Sequence, residues 1–417
     1  MKPTGTETVL RIALFTYSTK PRGSVIHTIE LAEALHHLGH QVCIYALDKD
    51  AHGFERTLHC QHRLVPALPA SNDIDQLIRQ RIQEFVDFLI QDLETRTYDY
   101  YHAQDCISAN ALAQLRQKQI IPHFIRTVHH IEDFNSPYLQ QCQERSIYEP
   151  NLCLCVSAYW QKQLQQVYQI HAPRVMNGVD QTRFLQTFDC TETNGKSNAK
   201  INEEDNVKNR LRQRFGLKDS LVYLTVGGIE PRKNSITLLQ AFSQVLNHLP
   251  QAQLVIAGGA TLFDYQPYRD EFFVQADQLQ IQIGQSLILP GVVSDADLPM
   301  LYRAADAFVF PSLKEGWGLV VLEAIASGLP ILVSNQPPFT EFLTPQQAIF
   351  VDPQSPEAIA AAMLQIAQPD IAQALIRHSA PLCNQYTWEK SAQLHLTHYL
   401  ALADSLALAN SSNFAPP

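Results

Sequence analysis

The sequence predicts an α/β protein built from two doubly wound units, each a largely parallel sheet with helices on its faces. Three observations predict it. Strand-like and helix-like runs alternate along the chain, its 417 residues exceed what one core of roughly 150 residues needs, and a polar stretch separates two blocks of the alternation. With 46% apolar and 17% charged residues the chain has enough material for two cores, which excludes a disordered or collagen-like polymer.

The first block opens with LRIALFT, Leu10 to Thr16, a buried strand followed by a loop and an amphipathic helix from about Ser24 to Leu38, closed by Gly39. VCIYAL forms the next strand, ending at Leu47. A helix over Ile107 to Gln117, strands over Phe124 to Val128 and Leu152 to Val156, and a helix capped by Ser157 continue the pattern. From Thr191 to Asn209 neither period is present and aromatic residues are lacking, so 185–210 reads as a linker or surface insertion. Alternation restarts with a strand from Leu221, a helix over Ser235 to Leu249, strands at Leu254 and Ala307, a helix over Leu319 to Ser327 and a strand at Ile331. The domains expected are 1–184, with a helical segment 382–417 packing back on it, and 211–381.

A net charge of −10, from 31 Lys and Arg against 41 Asp and Glu, argues against a surface built for nucleic acid. Eight cysteines with no Cys-x-x-Cys pair read as reduced, mostly buried thiols. The N-terminus lacks a secretory pattern, and the longest apolar run, Trp317 to Val333, is broken by Glu323, Gly328 and Pro330, short of the ~20 apolar residues of a membrane span. A cytoplasmic location is expected.

KEGWGLVVLEAIASGLP places Glu315 and Glu323 on either side of a glycine-rich turn that opens a helix. Glu323 is the one ionisable residue between Gly316 and Ala326, and a carboxylate on so apolar a helix needs a partner such as sugar hydroxyls. Main-chain N–H groups around Gly318 and Leu319 lie at the positive end of that helix and could receive a phosphate. Read without function, the two acids are a solvent-facing Glu315 and a Glu323 at a domain seam. Two acidic or metal-like patterns are set aside: Asp48-Lys49-Asp50 reads as a loop, and His59-Cys60-Gln61-His62, lacking a second ligand pair, as an exposed polar turn.

FPSLKEGWGLVVLEAIASGLP resembles the acid-pair motif of retaining GT-B glycosyltransferases of the family 4 (group 1) type. Asn177-Gly178-Val179-Asp180, GGIEPRKN from Gly227 to Asn234, LYRAADAFVFPS from Leu301 and YTWEKSA from Tyr386 extend the resemblance over most of the chain. It implies a GT-B fold, two Rossmann-like domains facing each other across a cleft, and transfer of a hexosyl group from a UDP- or GDP-sugar. Arg232 and Lys233 would stabilise the diphosphate leaving group, Glu315 would bind donor-sugar hydroxyls, Glu323 the ribose, and the backbone of Gly316, Trp317, Gly318 and Leu319 the diphosphate and sugar. His129, in FIRTVHHIEDF, is the catalytic histidine the pattern implies; as residues alone, His129 and His130 with Glu132 and Asp133 could instead bind a metal or form an ordinary loop.

Gly23, Ser24, Gly228 and Val293 complete the donor-binding set. The sequence departs from the family at two of them: Ser24 stands where a second glycine is usual and could serve as a helix N-cap, and Gly228 where many relatives carry an arginine. No metal or resident cofactor is implied, the nucleotide sugar being a co-substrate; the acceptor is a small molecule, a glycan or a lipid, the last compatible with peripheral membrane contact. Two further readings are a non-catalytic nucleotide-sugar-binding subunit, against which the full set of site residues argues, and a sugar-nucleotide epimerase of the same fold, disfavoured by the NGVD and EPRKN segments. A nicotinamide dehydrogenase ranks lower because no Gly-x-Gly-x-x-Gly turn follows a strand.

Overall fold

The computed structural model describes residues 8–185, 197–259 and 265–412. They form two compact units, Met1–Gly178 with Tyr386–Pro417, and Val179–Gln385. The first unit holds strands β1 (Arg11–Thr16), β2 (Gln41–Asp48), β3 (Gln61–Pro66), β4 (Tyr100–Ala103), β5 (Ile125–Val128) and β6 (Leu152–Cys155) in the order 3-2-1-4-5-6. The second holds β7 (Val222–Val226), β8 (Gln253–Ala257), β9 (Leu287–Gly291), β10 (Ala307–Phe310), β11 (Ile331–Ser334) and β12 (Ile349–Val351) in the order 12-11-10-7-8-9. Counted from its own first strand, the second sheet repeats the order of the first. Every strand pair is parallel, with Ile12 level with both Val42 and Tyr100. Central strands therefore have both faces covered, which is why β1, β2 and β7 read as nearly continuous apolar runs.

In the first unit Ile12, Leu14, Val42 and Ile44 of the sheet meet Val25, Ile29 and Leu35 of helix Gly23–His37. The long helix Trp388–Ser412 lies along that same helix and adds Ala392, Tyr399 and Leu402 to the core. Tyr399 stacks on Tyr100 at 4.8 Å, and its hydroxyl hydrogen-bonds Nδ1 of fully buried His102 at 2.7 Å. Tyr399→Phe would leave that ring nitrogen without its partner in a dry core, so thermal denaturation is expected to show a loss of about 1–3 kcal/mol.

Expected elements appear within a few residues of their places, and Ser157 accepts from Trp160 N as a cap. Two expectations are corrected. The polar stretch is a helix over its second part, Ser197–Arg214, while 186–196, with Cys190, lies outside the described residues. Ion pairs join buried Leu211 in holding the C-terminal part of this helix: Arg212 Nη2 and Lys208 Nζ each lie 2.6 Å from Asp306, whose Oδ2 also accepts from Val222 N. Hydrophobic periodicity is blind to such packing. His59-Cys60-Gln61-His62 is not a turn either, since Gln61 and His62 begin β3 at the sheet edge, Cys60 is buried, and His59 pairs with Glu33 at 2.7 Å. The seven described cysteines are free. No single described helix is long and apolar enough to cross a membrane.

Candidate active site

In a doubly wound sheet, ligands bind beyond the carboxyl ends of the two strands at which the order reverses. In the second unit those strands are β7 and β10. The loop after β7 contains Glu230, Arg232 and Lys233, the last two in a single 3₁₀ turn, Pro231–Lys233. The loop after β10 runs through Ser312 and Glu315 to helix Leu319–Ala326. Asn234, held at φ 61°, laces the loops together by donating from Nδ2 to the carbonyls of Pro311 at 3.0 Å and Pro353 at 2.6 Å. Leu313 N donates to Arg232 O at 2.8 Å.

This lacing brings three of the four candidate catalytic residues together. Glu315 Oε1 lies 2.6 Å from Lys233 Nζ and 3.2 Å from Arg232 Nη1, while Arg232 Nε pairs with Glu230 Oε2 at 3.0 Å. The Ser312 hydroxyl sits 2.7 Å from Glu315 Oε1 and 2.8 Å from Arg232 O, with one proton for two acceptors. Burial alone would raise the Glu315 carboxyl, but Lys233 and Arg232 outweigh it and hold the group below its ordinary value. Burial, and then Arg232, push Lys233 down despite its carboxylate partner. The Lys233 side chain is 12% exposed and its ammonium lies 4.5 Å from the centre of the Phe310 ring; Arg232, 29% exposed, is the more open cation.

Helix Leu319–Ala326 begins with Gly318 at φ 103° and has no side-chain cap and no acid in its first turn, so no N-cap side chain answers its first N–H groups. A β-carbon on Gly318 would also fall 2.8 Å from Phe339. Gly316 and Leu319 are half-buried on this turn. Trp317 turns its ring inward onto Phe342, stacked at 4.9 Å, so its side chain serves packing. Glu323 is buried, as its apolar helix implies, and the Tyr302 hydroxyl donates to its Oε2 at 2.9 Å. Part of the partner that the sequence argument asks for is thus inside the protein.

Gly228 has a local reason for being glycine: a β-carbon there would lie 2.4 Å from Gly259 O, so no side chain enters without moving backbone. Gly259 in turn abuts Val292, the neighbour of Val293, which lies half-buried in the loop after β9.

In the first unit β1 and β4 flank the reversal. His129 follows β5 and donates from Nε2 to Oε1 of Gln104, the residue after β4, at 3.2 Å. Burial, reinforced by His27, holds its pKa far below the usual imidazole value, so the ring is neutral near pH 7. His27 meets the His129 ring edge-on at 4.6 Å and is anchored through Nδ1 to Asn177 Oδ1 at 2.9 Å. The adjacent histidines part company, for His130 pairs with Glu132 at 2.7 Å on the exposed side. Gly23 is exposed and Ser24 half-buried at the start of helix Gly23–His37. Ser24 is not the N-cap: Arg22 occupies that position, without a side-chain hydrogen bond.

Sequence reasoning passed over Tyr302, Glu230, Ser312, Gln104 and His27. Signals existed for four: Tyr302 and Ser312 lie in the LYRAADAFVFPS motif, Glu230 lies in GGIEPRKN, and His27 is a polar residue among apolar ones on a helix.

Comparison with known proteins gives two family matches, glycosyl transferases group 1 over residues 207–378 and glycosyltransferase family 4 over residues 21–183. The O-antigen chain mannosyltransferase B of Escherichia coli is 32% identical over 180 residues, 43% of this chain and 45% of that protein. An uncharacterized glycosyltransferase of Methanocaldococcus jannaschii is 25% identical over 377 residues, 84% of this chain and 87% of that one. Sucrose-phosphate synthase from Thermosynechococcus elongatus superposes with a TM-score of 0.73 at 21% identity, covering 94% of this chain and 99% of its own.

Proposed function

The chain belongs to the group 1 glycosyltransferases and has their GT-B fold, and from this premise we propose that it transfers a hexosyl group from a UDP- or GDP-sugar to an acceptor hydroxyl with retention of configuration and without a metal. The observation that supports this reading best is the Arg232–Lys233–Glu315 cluster at the β7/β10 reversal, beside an uncapped helix N-terminus. In the reaction the bond from the anomeric carbon to the diphosphate oxygen breaks, its electron pair leaving with the diphosphate. A bond to the acceptor oxygen forms on the same face, and the acceptor proton passes to the departing phosphate oxygen. Charge grows on the leaving group, where Arg232, Lys233 and the N–H groups before Leu319 stabilise it. Glu315 orients the two cations and accepts from donor-sugar hydroxyls; Glu323, steadied by Tyr302, accepts from the ribose.

A neutral His129 suits this scheme as a hydrogen-bonding group rather than a base, because burial holds its pKa so low that the ring is a poor proton acceptor. The mannosyltransferase relative supports a hexosyl group without selecting the donor.

The test is a thermal-shift and donor-hydrolysis screen against UDP- and GDP-sugars, followed by calorimetry on Glu323→Ala. Loss of the ribose acceptor is expected to weaken nucleotide-sugar binding about tenfold. Unchanged affinity would remove the ribose role from Glu323, and no stabilisation by any donor would remove the reading.

A further inference from the structure

His27, on helix Gly23–His37, is fully buried in the first unit and has no part in the transfer scheme. Its Nδ1 donates to Asn177 Oδ1 at 2.9 Å, which puts the single proton of the neutral ring on Nδ1 and leaves Nε2 a bare acceptor. That Nε2 is buried with no hydrogen-bond partner among the described residues. A buried acceptor left unanswered destabilises a fold, and a phenylalanine ring would carry no such atom, so packing alone does not account for an imidazole here. Burial, followed by His395, pushes the His27 pKa down to about 3, and the ring keeps this one-proton form at neutral pH.

The surroundings of the ring fix it in place. Asn177 is 2% exposed, and a β-carbon on the following Gly178 would lie 2.2 Å from Trp388 N, so this turn is pressed onto the start of helix Trp388–Ser412. From that helix the Trp388 ring meets His27 edge-on at 5.4 Å, and the His395 ring lies 5.8 Å away. The shortest of these ring contacts is the one to His129, edge-on at 4.6 Å.

His129 gives its Nε2 proton to Gln104 Oε1 at 3.2 Å, which leaves Nδ1 as its acceptor nitrogen. One hydrogen bond lets a ring rock about the bonded atom, and an aromatic neighbour set edge-on removes that freedom. His27 is that neighbour, and Asn177 holds it to its angle.

We propose that His27 is a positioning residue: aligned by Asn177, it holds the His129 ring against Gln104 in one tautomer and one orientation. The consequence for turnover rests on the transferase reading, whereas the arrangement of the rings does not.

The experiment has a spectroscopic and a kinetic arm, both on the full chain. In nitrogen NMR spectra of histidine-labelled wild type, with signals assigned through His27→Phe and His129→Phe, His27 is expected as the Nδ1–H tautomer and His129 as Nε2–H alone. His27 in the Nε2–H form, or His129 as a mixture, would overturn the inference whether or not the protein is active. The kinetic arm follows hydrolysis of UDP-glucose and of GDP-mannose by His27→Phe/Asn177→Leu, a double variant that removes both hydrogen-bonding partners and so strands neither. It is expected to melt within a few degrees of the wild type, to turn over about tenfold more slowly with KM changed by less than about twofold, and to show His129 in both tautomers. A merely structural role predicts instead that turnover follows the folded fraction. Wild-type turnover in the folded double variant, an unchanged His129 signal, or a loss carried in KM would each overturn the proposal. Should the double variant not fold, His27→Phe alone is read by the same two measurements. Hydrolysis of neither sugar by the wild type would strike the transferase reading and leave the spectra to decide the placement of His129.

Discussion

Glu315→Ala is expected to cost about 3–5 kcal/mol of stability, the range for breaking a buried ion pair by removing one partner, and to lower turnover by at least about a hundredfold. The carboxylate is shared by two cations, and Lys233 has little solvent to replace it. Without Glu315 the Lys233 ammonium would be buried against Phe310 beside the positive charge of Arg232, an arrangement that favours its neutral form and weakens its pull on a leaving group. Urea denaturation and steady-state rates measure the two effects. The acid side of the stability profile supplies a second check. Because the folded carboxyl lies below its ordinary value of 4.5, its contribution is complete above that pH and is lost as pH falls through the lower folded value. That part of the acid transition should vanish in the variant. A variant as stable as the wild type would show that the ion cluster does not hold the loops together.

Lys233→Ala is expected to lower turnover about a hundredfold with a smaller change in KM, the pattern of an interaction that strengthens as charge develops. Lys233→Arg should not rescue it. The lysine stem crosses Gly227 so closely that a β-carbon there would lie 3.0 Å from its ε-carbon, and the bulkier guanidinium has to find another path to Glu315. Equal losses in donor affinity and rate would instead assign Lys233 to ground-state binding.

Alternation of strands and helices was legible because central parallel strands are buried on both faces and their helices on one, which writes two distinct periods into the chain. Elements without that imprint stayed hidden. Edge strand β3 is polar at three of its six positions, β4 carries His102 within its short run, and helix Ser197–Arg214 is fastened by Arg212 and Lys208 to Asp306. At the candidate site, residues whose chemistry is local could be named from order alone: Glu315 beside a glycine turn, and Arg232 and Lys233 between strand and helix. Residues acting across the fold could not. Tyr302 reaches Glu323 over 21 positions and Gln104 reaches His129 over 25, contacts that only the closed sheet creates.

Both sheets have the same strand order, and in each the chemistry hangs on segments that follow strand ends while the strands themselves are packed apolar material. Such a protein is modular in a specific sense. The segments that follow the strands of either sheet can vary while the packed strands beneath them stay as they are. The stretch between β1 and its helix, for one, can be exchanged with Ile12, Leu14 and the rest of the core beneath it left in place.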